Sequence, residues 1–280
     1  MNCIKKVIIP IIFMLVSVVS NAQSLKVMTY NIRLNVATDG ENNWNLRAAF
    51  FTSQIQFYVP DIFGIQEALP NQVLDISNAL PSYNHIGLGR EENGLGESSN
   101  IFYNKNRLEI KKSSTFWLSD TPEKVSKGWD AAYNRVCTYA LFKDVKTKQL
   151  FWVFNTHLDH IGEVARNKGL SLIMTRIAQL NTKKYPVIFM GDLNSEPTEN
   201  RIIGLKNTMD DSREITKEKP FGPLGTFNNF KHNEAVNKRI DYIFLSKNSI
   251  FKVKKYAVLS DSKDLKYPSD HLPVYVEIDF

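Results

Sequence analysis

Short apolar runs recur along the chain between polar breaks, a spacing that suits strands better than long helices. The clearest cover 25–32, 61–66, 98–103, 136–142, 149–155, 187–190, 239–245 and 274–278. Val, Ile, Phe and Tyr dominate them, residues that fit a pleated, half-buried surface. The runs 136–142 and 150–155 are separated by 144–148 and read as an antiparallel hairpin. Helical spacing appears in between. Leu46, Ala49, Phe50, Ser53, Ile55 and Phe57 mark a helix over 45–58 that Pro60 stops. Further helices are expected over 69–80 and 162–183, and Glu196-Pro197-Thr198-Glu199 starts a short fourth. Strands outnumber helices in mixed order. The predicted fold is therefore α+β: a four-layer α/β/β/α sandwich of two mostly antiparallel sheets with helices outside.

The first 22 residues stand apart. Lys5 and Lys6 precede an apolar run from Val7 to Val19, and Ser20-Asn21-Ala22 offers small residues for a signal peptidase. That run is short for a membrane span, although an uncleaved anchor is the alternative. The expectation is a signal peptide over 1–22, cleavage near Ala22, and one domain over 23–280 that is periplasmic or extracellular. Two lysines leave with the signal, so the formal charge falls from +6 to +4. A mildly basic chain accommodates an anionic substrate without specifying one. Cys137 alone would remain, so no internal disulfide supports the fold. The plentiful aromatics (17 Phe, 11 Tyr and 4 Trp) argue against disorder. The lysines at 252, 254 and 255 read as the solvated face of a strand-like stretch. The long glycine-containing segments 87–97 and 118–134 are candidate functional loops.

The residues suited to chemistry fall at the ends of the apolar runs. Asn31 ends the first run and Glu67 comes directly after Ile65-Gln66. A carboxylate there suits a hard cation such as magnesium, or serves as an acid at the start of the next helix. His157 comes after Asn155-Thr156. Asp192 and Asn194 come after Gly191, and their alternation points both side chains the same way from an extended segment. Such an Asp can orient and deprotonate water, or the segment is a turn. Asp241 sits in an apolar strand and needs a partner if buried. His271, after Asp270, would supply one, either for catalysis or as a structural pair.

The ordered set resembles the endonuclease/exonuclease/phosphatase superfamily of metal-dependent phosphoesterases. The matching segments are Met28-Thr29-Tyr30-Asn31-Ile32, Ile65-Gln66-Glu67, Asn155-Thr156-His157, Gly191-Asp192-Leu193-Asn194, Arg239-Ile240-Asp241-Tyr242-Ile243 and Ser269-Asp270-His271-Leu272-Pro273-Val274. The resemblance implies that Glu67 binds magnesium, with manganese as a substitute, beside Asn31. It implies that Asp192 activates water, Asn194 orients it, His157 and His271 contact phosphate oxygens, and Asp241 orients His271. Asp270 would support the metal or the leaving group, and Asn134-Arg135 would contact phosphate.

Asn43-Trp44-Asn45-Leu46-Arg47, Gly87-Leu88-Gly89-Arg90, Thr115-Phe116-Trp117-Leu118-Ser119 and Lys127-Gly128-Trp129-Asp130 look like an exported bacterial branch. On that reading Arg47 and Arg90 line the substrate pocket, although Arg47 also reads as a surface helix residue. Asp159, His160, Glu163 and Arg166 read first as helix-start residues and then as substrate contacts. His85 and His232 read as surface. The expected activity is magnesium-dependent hydrolysis of a phosphate ester, nearer a phosphodiester, by a monomer. Nucleic acid, phospholipid head groups and sugar phosphates all remain open as substrates. A non-catalytic phosphate-binding module is the alternative of another class.

Overall fold

A computed structural model describes residues 24–247 and 249–279. The expected signal segment lies outside the described residues. One sheet runs β11-β12-β1-β2-β4-β3 and the other β5-β6-β7-β8-β10-β9. The first comprises β1 (Leu25–Asn31), β2 (Ile62–Gln66), β3 (Tyr83–Ile86), β4 (Ile101–Asn104), β11 (Lys252–Val258) and β12 (Val274–Asp279). The second comprises β5 (Leu108–Trp117), β6 (Val136–Asp144), β7 (Leu150–His157), β8 (Val187–Asp192), β9 (Met209–Asp211) and β10 (Asp241–Ser246). The helices are α1 (Trp44–Tyr58), α2 (Pro70–Ala79), α3 (Glu163–Leu180), α4 (Asn200–Leu205) and α5 (Ser212–Ile215). Both sheets are mixed and mostly antiparallel, with parallel pairs β1/β2 and β7/β8 at their centres.

Alternation within single strands builds three apolar layers. In β1, Leu25 and Val27 face the second sheet and join Ile62, Phe142, Val153, Ile188 and Ile243. Met28 and Tyr30 face the other way, onto Trp44, Phe51 and Ile55 of α1 and Ile76 of α2. On the far side, Phe154, Phe189 and Phe244 pack against Leu170 and Ile173 of α3. Central strands covered on both faces have no polar face, so their sequences read as continuous apolar runs. The expected sandwich is the observed one.

The strands that apolar runs did not mark are β3, β5 and β9, and β11 showed only as lysine alternation. These four are the sheet edges. Edge strands meet water on one flank and carry charges or stay short to avoid pairing with other chains, so the apolar signal fades there.

Towards one end of the sandwich the space between the sheets turns polar. Gln66 donates from Nε2 to Thr29 Oγ1 at 3.0 Å and to Asn155 Oδ1 at 2.7 Å. Asn155 in turn donates from Nδ2 to the carbonyls of Ile65 and Asn100. Gly64 makes room for this network, because a Cβ there would lie 2.7 Å from Asn155 Cγ. Buried amides are tolerated when their donors and acceptors are matched. The layer locks the ends of β1, β2 and β7 together directly beneath the residues that end these strands.

Candidate active site

The register places the functional side chains in one row. His157 lies opposite Asp192 in the β7/β8 pair, and Asp241 opposite Asp192 in the β8/β10 pair. On the facing sheet Asn31 pairs with Gln66, one residue before Glu67. Asp270 and His271 approach just before β12. Gly191 has φ 143°, and a Cβ there would lie 2.0 Å from the Thr156 carbonyl oxygen. The close approach of β7 and β8 beside Asp192 therefore requires glycine. Arg33, Glu67 and Asn194 all hold positive φ (56°, 64° and 44°), strain that concentrates where the surrounding structure fixes a functional geometry.

Asp192 is the hub. Its Oδ2 accepts from Asn31 Nδ2 at 2.9 Å and its Oδ1 from the Asn194 backbone N–H at 2.9 Å. The same Oδ2 lies 3.5 Å from His157 Nε2 and 3.8 Å from His271 Nε2. The second separation is beyond a direct hydrogen bond, and the buried carboxylate lies at the floor of the cleft it lines. Burial, followed by the charge of Asp241, raises the Asp192 carboxyl above its usual range.

The two imidazoles have opposite characters. His271 Nδ1 meets Asp241 Oδ2 at 2.8 Å. Burial alone would lower its pKa, but the Asp241 carboxylate, together with those of Asp192 and Asp270, outweighs burial and holds it up at about 10. His157 is pushed well down by burial and by the neighbouring charges of Arg135 and His271. It is therefore neutral, and its Nε2 can accept the Asn194 Nδ2 amide at 3.0 Å. One cation and one neutral ring thus flank a single carboxylate.

The cleft has a volume of about 550 Å³. Glu67 and Asp270 line it with Asp192, His157 and His271. Burial, and further the charge of Glu67, raises the Asp270 carboxyl. Carboxylates that crowd each other in one cleft form the oxygen-rich donor set of a hard divalent cation, so these residues fit magnesium. Asn31 bridges the acids, donating from Nδ2 to Glu67 Oε1 at 2.9 Å as well as to Asp192. Asp192, Asp241 and His271 also offer ligand atoms within 4.8 Å of one another. Asp241 and His271 already bond each other through Oδ2 and Nδ1 at 2.8 Å.

The cations lining the cleft are largely neutralised. Arg33 pairs with Asp39 at 2.9 Å, Arg90 with Glu97 at 2.8 Å and Arg135 with Asp159 at 3.2 Å. Lys238 instead rests its ammonium 5.6 Å above the Phe227 ring and pairs with no carboxylate among the described residues.

Arg135 and Arg90 line the cleft. Asn134 lies in a recess beside it and ties the long loops together, donating to Glu91 Oε2 at 2.9 Å. Arg47 is not in the cleft, and the pocket and surface readings are both corrected. It is buried, and its guanidinium donates to the carbonyls of Asn42, Ile32, Pro268 and Arg33. It holds the chain after β1 against the chain before Asp270. Replacing Arg47 with Met should strand these carbonyls and lower unfolding stability by on the order of 3 kcal/mol. Urea denaturation measures this, and a loss under about 1 kcal/mol would contradict the stapling role.

Asp159 lies buried and accepts from the backbone N–H groups of Ala132, Ile161 and Gly162, which fixes the start of α3. His160 lines the cleft, with Nδ1 at 3.1 Å from Arg135 Nη2. Arg33, Glu97, Tyr133, Phe227, Asn229 and Lys238 also line it, and no sequence motif singled them out. They lie in loops, where no periodicity marks which way a side chain points; the two long loops were the available signal for Glu97 and Tyr133 alone. His232 is surface, meeting Ser262 Oγ at 3.0 Å, and His85 is also exposed, its ring tilted against Phe102 at a sheet edge.

A two-sheet sandwich with an Asp, two imidazoles and a carboxylate cluster at the ends of its strands defines a hydrolase of phosphate esters. A family model described as Endonuclease/Exonuclease/phosphatase family matches residues 28–271, and the chain belongs to that family. The chain is 38% identical to a solved mannosyl-6-phosphatase of Bacteroides thetaiotaomicron, covering 92% of this chain and 100% of that one with a TM-score of 0.86. A family protein of Bacteroides vulgatus is 31% identical, covering 92% and 99% with a TM-score of 0.86. The human Nocturnin catalytic domain shares the fold at 22% identity and a TM-score of 0.72, over 92% of this chain and 94% of that one. No helix among the described residues is long and apolar enough to cross a membrane.

Proposed function

We propose that this chain is a magnesium-dependent phosphatase that removes phosphate from a sugar phosphate, using water activated by Asp192. The observation that carries the reading is the buried Asp192 carboxylate, at the floor of the cleft, set between the His271 imidazolium and the neutral His157. Asn31 and the Asn194 backbone fix the orientation of the carboxylate. Asp192 takes the proton of the attacking water. The His271 cation, held by Asp241, neutralises phosphoryl oxygens. Asn194 donates to the neutral His157 and fixes its ring beside Asp192. Magnesium held by Glu67 and Asp270, or manganese in its place, would supply Lewis-acid charge neutralisation when bound.

The sugar-phosphate reading draws on the similarity to the mannosyl-6-phosphatase and on charge. A nucleic acid strand needs several free cations along its backbone, whereas most cations of this cleft are already paired. The leader pattern of residues 1–22 supports export, and N-terminal sequencing of the mature protein tests it.

Phosphate release from mannose 6-phosphate should require added magnesium. EDTA should lower the rate by about 100-fold or more, and magnesium or manganese should restore it. Bis(p-nitrophenyl) phosphate and single-stranded DNA should be poor substrates. Undiminished turnover in EDTA, or DNA as the best substrate, would overturn the reading.

A further inference from the structure

Two aromatic rings flank the reactive centre on separate elements. Tyr133 precedes β6, and Phe227 is bridged to Lys238 just before β10. The sheet order β6-β7-β8-β10 sets them on either side of Asp192, which ends β8. Both line the cleft.

Each ring is held in place. Tyr133 is 52% exposed, yet the Arg90 guanidinium lies 4.7 Å from its centroid and His160 stacks near parallel at 6.0 Å. Those two groups are fixed in turn, Arg90 by Glu97 and His160 by Arg135. The Arg90 carbonyl accepts from Trp117 Nε1 at 2.8 Å, which ties the first long loop to the end of β5. Phe227 sets its edge against the catalytic imidazole of His271 at 5.0 Å and carries the Lys238 ammonium over its face. Tyr133 is thus exposed yet immobilised, and Phe227 is half-buried; rings held in this way lose little entropy when a ligand covers what is left open.

We infer that Tyr133 and Phe227 form the subsite for the alcohol part of the phosphoester and seat a pyranose ring. The inference rests on the proposed sugar-phosphate reading. A pyranose presents C–H faces that pack on aromatic rings and hydroxyls around its rim. The polar neighbours in the cleft (Glu97, His160, Asn229 and Lys238) match such a rim. A volume of about 550 Å³ suits a small ligand of this kind. A nucleobase is the competing occupant, since its flat ring would use the same platform.

The test compares kcat and KM on mannose 6-phosphate, glycerol 3-phosphate and adenosine 5′-monophosphate for wild type, Tyr133→Ala, Tyr133→Phe and Phe227→Leu. Tyr133→Ala should raise KM for mannose 6-phosphate about tenfold with kcat nearly kept. The kcat/KM ratio of mannose 6-phosphate over glycerol 3-phosphate should fall by the same factor. Tyr133→Phe should retain the wild-type ratio, and Phe227→Leu should lower it. Equal losses on the sugar and glycerol substrates would overturn the subsite while leaving the phosphatase reading intact. A wild-type preference for the nucleotide, abolished by Tyr133→Ala, would overturn the sugar as occupant. Wild type inert on all three substrates would remove the phosphatase reading and the subsite with it.

Discussion

Asp192→Asn should lower kcat on the best substrate by about 10²–10⁴-fold, with KM changed by less than about threefold. The carboxylate is the acceptor for the water proton, and an amide of the same shape has no basicity to replace it. Two hydrogen bonds anchor the side chain, from Asn31 Nδ2 and the Asn194 backbone. An amide keeps one of them as an acceptor and loses the other. Against that loss, burial and the charge of Asp241 make the native carboxylate costly. Its folded pKa lies above the unfolded one, so the acid subtracts stability as pH rises through that interval. The amide removes this cost. The two effects oppose each other, and the melting temperature should stay within about 4 °C of wild type. Steady-state kinetics with thermal melts measures both. A variant that keeps kcat but loses KM would assign Asp192 to binding, and an unfolded variant would make it structural.

Asp241→Asn should produce the second-largest loss, about 10²-fold in kcat, through His271. Asp241 itself lies away from the cleft lining, buried behind the imidazole it bonds at 2.8 Å. It acts as a positioning residue, so a change in His271 titration is the readout that mere structural damage would not give. His271 is held at about 10, above its ordinary 6.5. Removing the carboxylate takes away the foremost influence that raises it, leaving only Asp192 and Asp270 against burial, and the imidazole should titrate lower in histidine NMR of chelator-treated protein. This fixes the sign for stability. A base raised in the folded state contributes stability that is fully present below pH 6.5 and is lost as pH rises through about 10. The stability gap between wild type and Asp241→Asn should therefore be widest near pH 6 and narrow towards pH 10 in urea denaturation. A His271 titration unmoved by the substitution would remove the electrostatic role.

The contrast between the imidazoles explains how one cleft can carry both. Each is buried, and burial alone would keep both neutral. His271 has a carboxylate at hydrogen-bond distance and keeps its proton, whereas His157 faces the Arg135 and His271 charges and gives its proton up. That difference is set by neighbours brought together across 30 residues in the first case and 22 in the second (271 − 241 and 157 − 135).

The sequence alone determined the central strands, the three longer helices and the polar residues that end the strands. Chemistry that must sit between two covered sheets leaves a continuous apolar run interrupted by Asn31, Glu67, His157, Asp192 or Asp241, and such interruptions are visible in a single chain. Edge strands were not legible, because a strand with one flank in water carries no apolar period: the middle of β5 is exposed from Lys111 to Ser114. Nor was the fate of the arginines. A helix-borne Arg47 reads the same whether it meets phosphate or four carbonyls, and the folded structure alone turns it onto the backbone. The walls of the cleft were likewise decided by tertiary structure. Loop residues such as Tyr133, Phe227 and Lys238 have no repeating direction, so only the docking of loops onto the strand ends determines which of them face the reacting phosphate.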